Sequence, residues 1–362
     1  MFRQFPRKIK SIVIKIGSSV IATYKMKPKT AKLGSLVEQI SHIQKSGVDV
    51  VVVSSGAIVL GLGELNQRAR PSDLASLQAC AAIGQNVLMR AYSDLLEKNN
   101  LKCAQVLLTW DDFDNRGRFN NARNTIHSIL EYGAIPIINE NDTISTDEIK
   151  FGDNDKLSAL VASSIGADLL IILSDVEGLY DTRNERKEVI EEIREITEEI
   201  EGIATDTTKK HVSKGGMITK LSAIKIATHA NIPCVIANGE TSDVLRRILK
   251  GERIGTFFVE KKEKLLARQH WISFLAKPKG NITVDDGARA ALLKGGKSLL
   301  LPGVVGWEGT FKSDDVVIIA GKDNQEFARG IINYSVADLH KIEDKKGKLE
   351  VVHCDNLVLC ER

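Results

Sequence analysis

The run Ser11-Ile12-Val13-Ile14-Lys15-Ile16-Gly17-Ser18-Ser19 is an apolar segment that ends in a lysine, a glycine and two small hydroxyl residues. Beyond it, Leu33, Leu36, Val37, Ile40 and Ile43 recur at helical spacing, Gly47 stands where that helix would stop, and residues 50–53 form a second apolar run. Strand, amphipathic helix and strand make a βαβ unit. Glycine suits the helix stop because it reaches the left-handed conformation without strain. The alternation continues through strand-like runs at residues 105–109, 134–138, 169–173 and 232–237, with helical stretches such as 119–132 between them. The expected fold is therefore α/β, a parallel-sheet αβα sandwich with helices on its faces. Within the charge-dense residues 184–201, Val189, Ile193, Ile196 and Ile200 keep a helical spacing, which predicts a solvated surface helix.

A chain of 362 residues exceeds the usual size of one hydrophobic core, so two domains are expected. Residues 1–262 carry the α/β pattern, 263–276 read as a linker, and 277–362 hold short β-like runs separated by turns, a small β-rich domain. With 43% hydrophobic and 27% charged residues, the composition is that of a globular protein, neither disordered nor membrane-embedded. The net charge of +3 is far below that of a dedicated nucleic-acid binder. No acidic residue precedes Glu38, so the N-terminal segment is locally basic and suits a nearby anion. No window offers the ~20 apolar residues of a membrane-spanning helix, and no signal-peptide core is present, which places the expected protein in the cytoplasm with no membrane partner. The five cysteines are odd in number and scattered, fitting neither a disulfide framework nor a metal site.

Five polar constellations stand at strand ends or helix starts, where the ligands of parallel sheets collect. Lys15 and Gly17 combine a point charge with a backbone that an anion can approach closely, although a strand followed by a turn gives the same string. Ser54-Ser55-Gly56-Ala57 follows the second strand in the same manner. Asn139-Glu140-Asn141-Asp142 and Gly152-Asp153-Asn154-Asp155 are two dense polar clusters. Their side chains suit the ammonium and carboxylate groups of an amino acid, and Asp153 and Asp155 also suit the orientation of lysines or a metal. Turn formation, or capping of the helix that starts near Lys156, competes with both readings. Ser174-Asp175 ends the strand 169–173. In Lys214-Gly215-Gly216-Met217-Ile218-Thr219-Lys220, paired glycines enter a helix that carries a lysine in its first turns, an anion-binding arrangement. Gly295-Gly296-Lys297-Ser298 imitates the end of a phosphate-binding loop, but position 291 is Ala and the segment precedes an apolar strand rather than a helix.

In this order, VIKIGSS, VVSSGAI, Gly84-Gln85, RFNNARNT, PIINENDT, EIKFGDNDKLSA, LLIILSDVEGLY and GGMITKL resemble the amino-acid kinase family, from Lys10 to about Glu260. The segments ITVDDGARAALLKGGKSLLLPGV and FARGIINYS resemble a PUA domain. Within the family, the resemblance points to enzymes that phosphorylate the side-chain carboxylate of L-glutamate with ATP and Mg²⁺, the opening step toward proline. It implies that Lys15 and Lys220 are catalytic and that Ser55, Asp142 and Asn154 bind glutamate, with Asn139, Asp153 and Asp155 in support. Gly17, Ser174, Asp175 and the segment Lys214, Gly215, Gly216, Met217, Ile218, Thr219 and Lys220 would line the ATP site. Lys214 departs from the family's pattern, which has a small residue there. The resemblance further implies a homo-oligomer, inhibition by proline and functional coupling to glutamyl phosphate reductase. Kinases of the same fold acting on aspartate, N-acetylglutamate, carbamate or a nucleotide monophosphate are the nearest rivals. An RNA-binding protein using the C-terminal domain is the rival from another class, and the balanced charge of residues 277–362 speaks against it.

Overall fold

The computed structural model describes residues 3–67, 69–145, 154–181, 188–208, 216–261, 269, 271–342 and 349–360. The chain divides into two compact units, one of Met1–Asp112 with Arg116–Lys264, the other of Phe113–Asn115 with Leu265–Arg362.

The first unit is built on strands β1 (Ser11–Ile16), β2 (Asp49–Ser54), β3 (Cys103–Leu108), β4 (Ile135–Glu140), β5 (Leu169–Ser174), the short β6 (Tyr180–Asp181), β7 (Glu188–Val189) and β8 (Glu192–Ile193), then β9 (Cys234–Asn238) and β10 (Thr256–Phe258). All but the β6–β7 pair join one eight-stranded sheet in the order β3-β4-β2-β1-β5-β9-β10-β8. The strands from β3 to β9 run parallel, as expected, but β10 returns antiparallel to β9. From β1 the chain first winds through β2 toward one edge and later crosses to β5 on the other side. The winding therefore reverses between β1 and β5, where ligands of open parallel sheets bind.

Side chains alternate faces along a strand, and this sorts β1. Ile12, Ile14 and Ile16 join one core with Leu33, Leu36 and Ile40 of the helix Thr30–Lys45 and Leu88, Tyr92 and Leu96 of the helix Leu74–Glu97. Val13 and Lys15 point to the opposite face. There the helix Asn154–Ile165 packs on β1 and against the helix Met217–His229. Gly47 ends the first long helix at φ +86°, as its residue type predicts.

The helix expected over 184–201 is corrected. Residues 182–187 lie outside the described part, Val189 and Ile193 belong to short strands, and the helix spans Glu198–Thr208. Ile193 is drawn into the sheet beside Phe258 of β10, so a tertiary pairing overrides the local helical spacing. Of the basic N-terminal residues, Arg3 and Arg7 do not join Lys15 at the carboxyl edge. Arg7 pairs with Asp168, just ahead of β5 at the amino end of the sheet, and Arg3 stacks over Phe257.

The second unit is a β-rich fold. Its five-stranded sheet is ordered Val304–Gly309, Gly280–Val284, Val316–Ala320, Glu326–Ile331, Leu357–Leu359, around a core that includes Ile282, Val317, Ile319 and Phe327. Gly295 and Gly296 adopt φ +75° and +66° beyond the helix Asp286–Leu293 and ahead of the strand Leu299–Leu300, a turn rather than a phosphate loop.

One close approach fixes the first unit's helices. A Cβ on Gly84 would lie 1.8 Å from the carbonyl oxygen of Ala57, and one on Gly61 1.8 Å from that of Cys80. The helices Ala57–Glu64 and Leu74–Glu97 therefore meet backbone to backbone. Gly84→Ala should destabilise the chain by roughly 1–3 kcal/mol through overpacking, read by urea unfolding. An unchanged midpoint would show that the helices separate at no cost.

Candidate active site

At the carboxyl edge of β1, Lys15 is only 6% exposed, and a buried ammonium requires a partner. Asp155, the second residue of the helix Asn154–Ile165, supplies it at 2.5 Å. The other oxygen of the same carboxylate lies 3.2 Å from Nζ of Lys220, in the first turns of the helix Met217–His229. Lys220 is 5% exposed and Asp155 3%, so two cations and one anion share a nearly dry setting. Burial alone would raise the Asp155 carboxyl. The Lys15 and Lys220 ammonium groups and the hydrogen bonds they donate outweigh it and hold the carboxyl at about 2. The Thr219 hydroxyl lies 2.9 Å from the carbonyl of Gly216 and 3.2 Å from Asp155 Oδ2, two acceptors that compete for its one proton.

Asn154 and Asp155 are neighbours on the first turn of one helix, and their side chains diverge. Asn154 is buried and its Nδ2 donates to Ser55 Oγ at 3.1 Å, beyond β2, and to Asn139 Oδ1 at 3.0 Å, in β4. Asn139 Nδ2 in turn donates to Oε1 of Gln85 at 2.8 Å. Beside this cluster, Ile144 and Ser145 donate their amides to the carbonyl of Asn141, a tight turn that presents Asp142. Glu140 is occupied by the Ser145 hydroxyl at 2.8 Å.

Gly17 follows β1 and donates its amide to Leu173 O of β5 at 3.0 Å, so the phosphate-loop candidate sits on the crevice between β1 and β5. A Cβ at Gly17 would stand 3.2 Å from that carbonyl. At the end of β5 the Ser174 hydroxyl donates to Asp175 at 3.0 Å. Gly216 caps the helix Met217–His229, Met217 is buried in the core, and Ile218 is 45% exposed.

The structure thus brings Lys15, Lys220, Asp155 and Thr219 into one cluster and Ser55, Asn139 and Asn154 into an adjoining one. Two residues make contacts that their sequence-based grouping does not specify. Asp155, placed with the acceptor ligands, spends both oxygens on the lysines, which is the lysine-orienting role its residue type also allowed. Thr219, placed with the nucleotide ligands, turns its hydroxyl to Asp155. Asp153, Lys214 and Gly215 lie outside the described residues. Gln85 belongs to the Gly84-Gln85 motif, and only the fold brings it to Asn139.

Residues 10–238 match the Amino acid kinase family and residues 280–353 the PUA domain. The Glutamate 5-kinase of Geobacter sulfurreducens is 43% identical over 97% of this chain and 98% of its own length. That of Syntrophotalea carbinolica is 44% identical over the same shares. A solved structure, the carbamate kinase of Giardia lamblia bound to AMP-PNP, aligns at TM-score 0.49 and 20% identity over 70% of this chain and 99% of that one. Two families matched in sequence order, with relatives aligned almost end to end, place the chain in the amino acid kinase family, on the glutamate 5-kinase branch that carries a C-terminal PUA domain.

Proposed function

We propose that the carboxyl edge of the first unit's sheet transfers the γ-phosphoryl group of ATP to the side-chain carboxylate of L-glutamate. The products are L-glutamyl 5-phosphate and ADP, the first step of proline biosynthesis. The observation that carries the reading is the buried Lys15–Asp155–Lys220 trio beside the Ser55–Asn139–Asn154 cluster.

A glutamate carboxylate, with an ordinary pKa of about 4.3, is already ionised at neutral pH, so the acceptor needs no general base. The difficulty is repulsion between an anionic nucleophile and a polyanionic donor. Two ammonium groups on one carboxylate leave a net positive centre that does not have to reorganise as charge shifts onto the transferring phosphoryl oxygens. Lys15 serves the γ-phosphate from β1 and Lys220 from the nucleotide side, while Asp155 fixes the spacing between them. Ser55, Asp142 and Asn154, supported by Asn139 and Asp153, would hold glutamate. Gly17, Ser174, Asp175 and residues 214–220 would face ATP.

ATP use follows from the kinase family. For Mg²⁺, the described carboxylates Asp155 and Asp175 make a poor cage: both oxygens of Asp155 face lysines and one of Asp175 accepts from Ser174. We assign the cation to the phosphates of the incoming nucleotide, the usual arrangement for Mg²⁺, and route no step through protein ligands. The same reading includes a cytoplasmic homo-oligomer, inhibition by proline and hand-over of the acyl phosphate to glutamyl phosphate reductase, all resting on family likeness. Among the described residues no helix is long and apolar enough to cross a membrane.

Release of ADP from Mg-ATP should be tested with glutamate, aspartate, N-acetylglutamate and UMP, trapping acyl phosphate with hydroxylamine. Hydroxamate from glutamate alone is expected, and hydroxamate from another acceptor, or none, rejects the reading. Lys220→Ala should lower turnover about 10²–10³-fold with the glutamate KM little moved, since its contact strengthens in the transition state. Asp142→Ala should instead raise the glutamate KM more than that for ATP, and equal changes would remove its substrate role. For Asp155 the folded value of about 2 lies below the ordinary 3.8, so its stabilisation is full above 3.8 and is lost as pH falls from there through the folded value of about 2. Acid unfolding of Asp155→Asn should lack that step, and an unchanged acid profile would dissolve the ion trio.

A further inference from the structure

The helix Leu74–Glu97 has no residue among the ligands assigned above, yet its polar stripe meets the acceptor half of the site. Gln78, Gln85 and Tyr92 recur every seven residues, close to two turns of 3.6, and so share one face of the helix. Gln78 Nε2 donates to Ser145 O at 3.3 Å, at the end of the turn that presents Asp142. Gln85 Oε1 accepts from Asn139 at 2.8 Å. The Tyr92 hydroxyl lies 3.0 Å from Ser54 Oγ, one residue before Ser55, and burial pushes its pKa up so that it remains a protonated donor. One helix therefore touches the turn that presents Asp142, Asn139 of β4, and Ser54 at the end of β2, beside Ser55.

Gln85 is the central rung. It is 9% exposed, and its Nε2 is buried without a partner, as is Oδ1 of Asn154 at the far end of the Gln85–Asn139–Asn154 chain of amides. A buried, unsatisfied polar atom is costly, so packing and the one bond to Asn139 leave half of this amide unaccounted for. The backbone contact of Gly84 on Ala57 holds the neighbouring residue at a set depth.

The geometry points to Gln85 as a positioning residue for the acceptor. It holds the Asn139 amide in the orientation that receives Asn154, and so acts on glutamate binding through Asn139. This inference rests on glutamate being the acceptor, which wild-type turnover tests separately.

The test is a double-mutant cycle on the full chain with Gln85→Met, Asn139→Ala and both together, reading the KM for glutamate, the KM for ATP, kcat and Tm. Gln85→Met should raise the glutamate KM about tenfold, the worth of one well-placed hydrogen bond, with the ATP KM within about twofold. The double variant should match Asn139→Ala alone, because among the described residues the side-chain bond of Gln85 runs to Asn139. Multiplying effects in the double variant, equal rises in both KM values, or a fallen Tm with neither KM moved would each overturn the inference. If Gln85→Met does not fold, Tyr92→Phe takes its place: a rise in glutamate KM alone supports the positioning helix, and an unmoved or evenly shared change refutes it. No turnover of glutamate by the wild type would instead reject the acceptor itself.

Discussion

Lys15 and Lys220 share a single carboxylate in a setting from which water is nearly excluded, and the architecture around them is organised by that constraint. A lysine buried near the end of a central strand is tolerable only if an anion meets it, and a buried anion only if cations hold it charged. Asp155 satisfies both lysines, but only when β1, the helix Asn154–Ile165 and the helix Met217–His229 are in register. Folding and the assembly of the charged centre are thus one event. The local net positive charge that remains is what a phosphoryl donor requires.

The start of the helix Asn154–Ile165 divides the site. Asp155 turns toward the lysines, and Asn154, about 100° around the helix, turns across the carboxyl edge toward Ser55 and Asn139. From the other face of the sheet, the helix Leu74–Glu97 reaches the same edge with Gln85. Helices from both faces of the sandwich therefore meet through a chain of side-chain amides where acceptor and donor would come together. The crevice between β1 and β5, closed by the Gly17 amide on Leu173, sets the same place by topology.

Much of this was legible in the residues. The bounds of β1 are those its apolar run suggests, and the polar clusters after β1, β2, β4 and β5 lie together because parallel strands deliver their ends to one edge. What escaped was tertiary. Val189 and Ile193 fit a helical spacing, but strands of two residues are too short to show a period, and Ile193 answers to Phe258 far along the chain. The antiparallel return of β10 leaves no local mark. Arg3 and Arg7 added to a basic count without sharing a location with Lys15. Gln85 is an ordinary residue in a helix until Gly84 and Asn139 give it a place.

The central claim, that one carboxylate holds two lysines astride the point of transfer, is tested most directly by a crystal structure with ADP, Mg²⁺, aluminium fluoride and glutamate. The account predicts a planar fluoroaluminate between the β-phosphate and the glutamate side chain, with the ammonium groups of Lys15 and Lys220 both in hydrogen-bonding contact and Asp155 still bridging them. A fluoroaluminate contacted by only one lysine, or an Asp155 turned away to the metal, would contradict it.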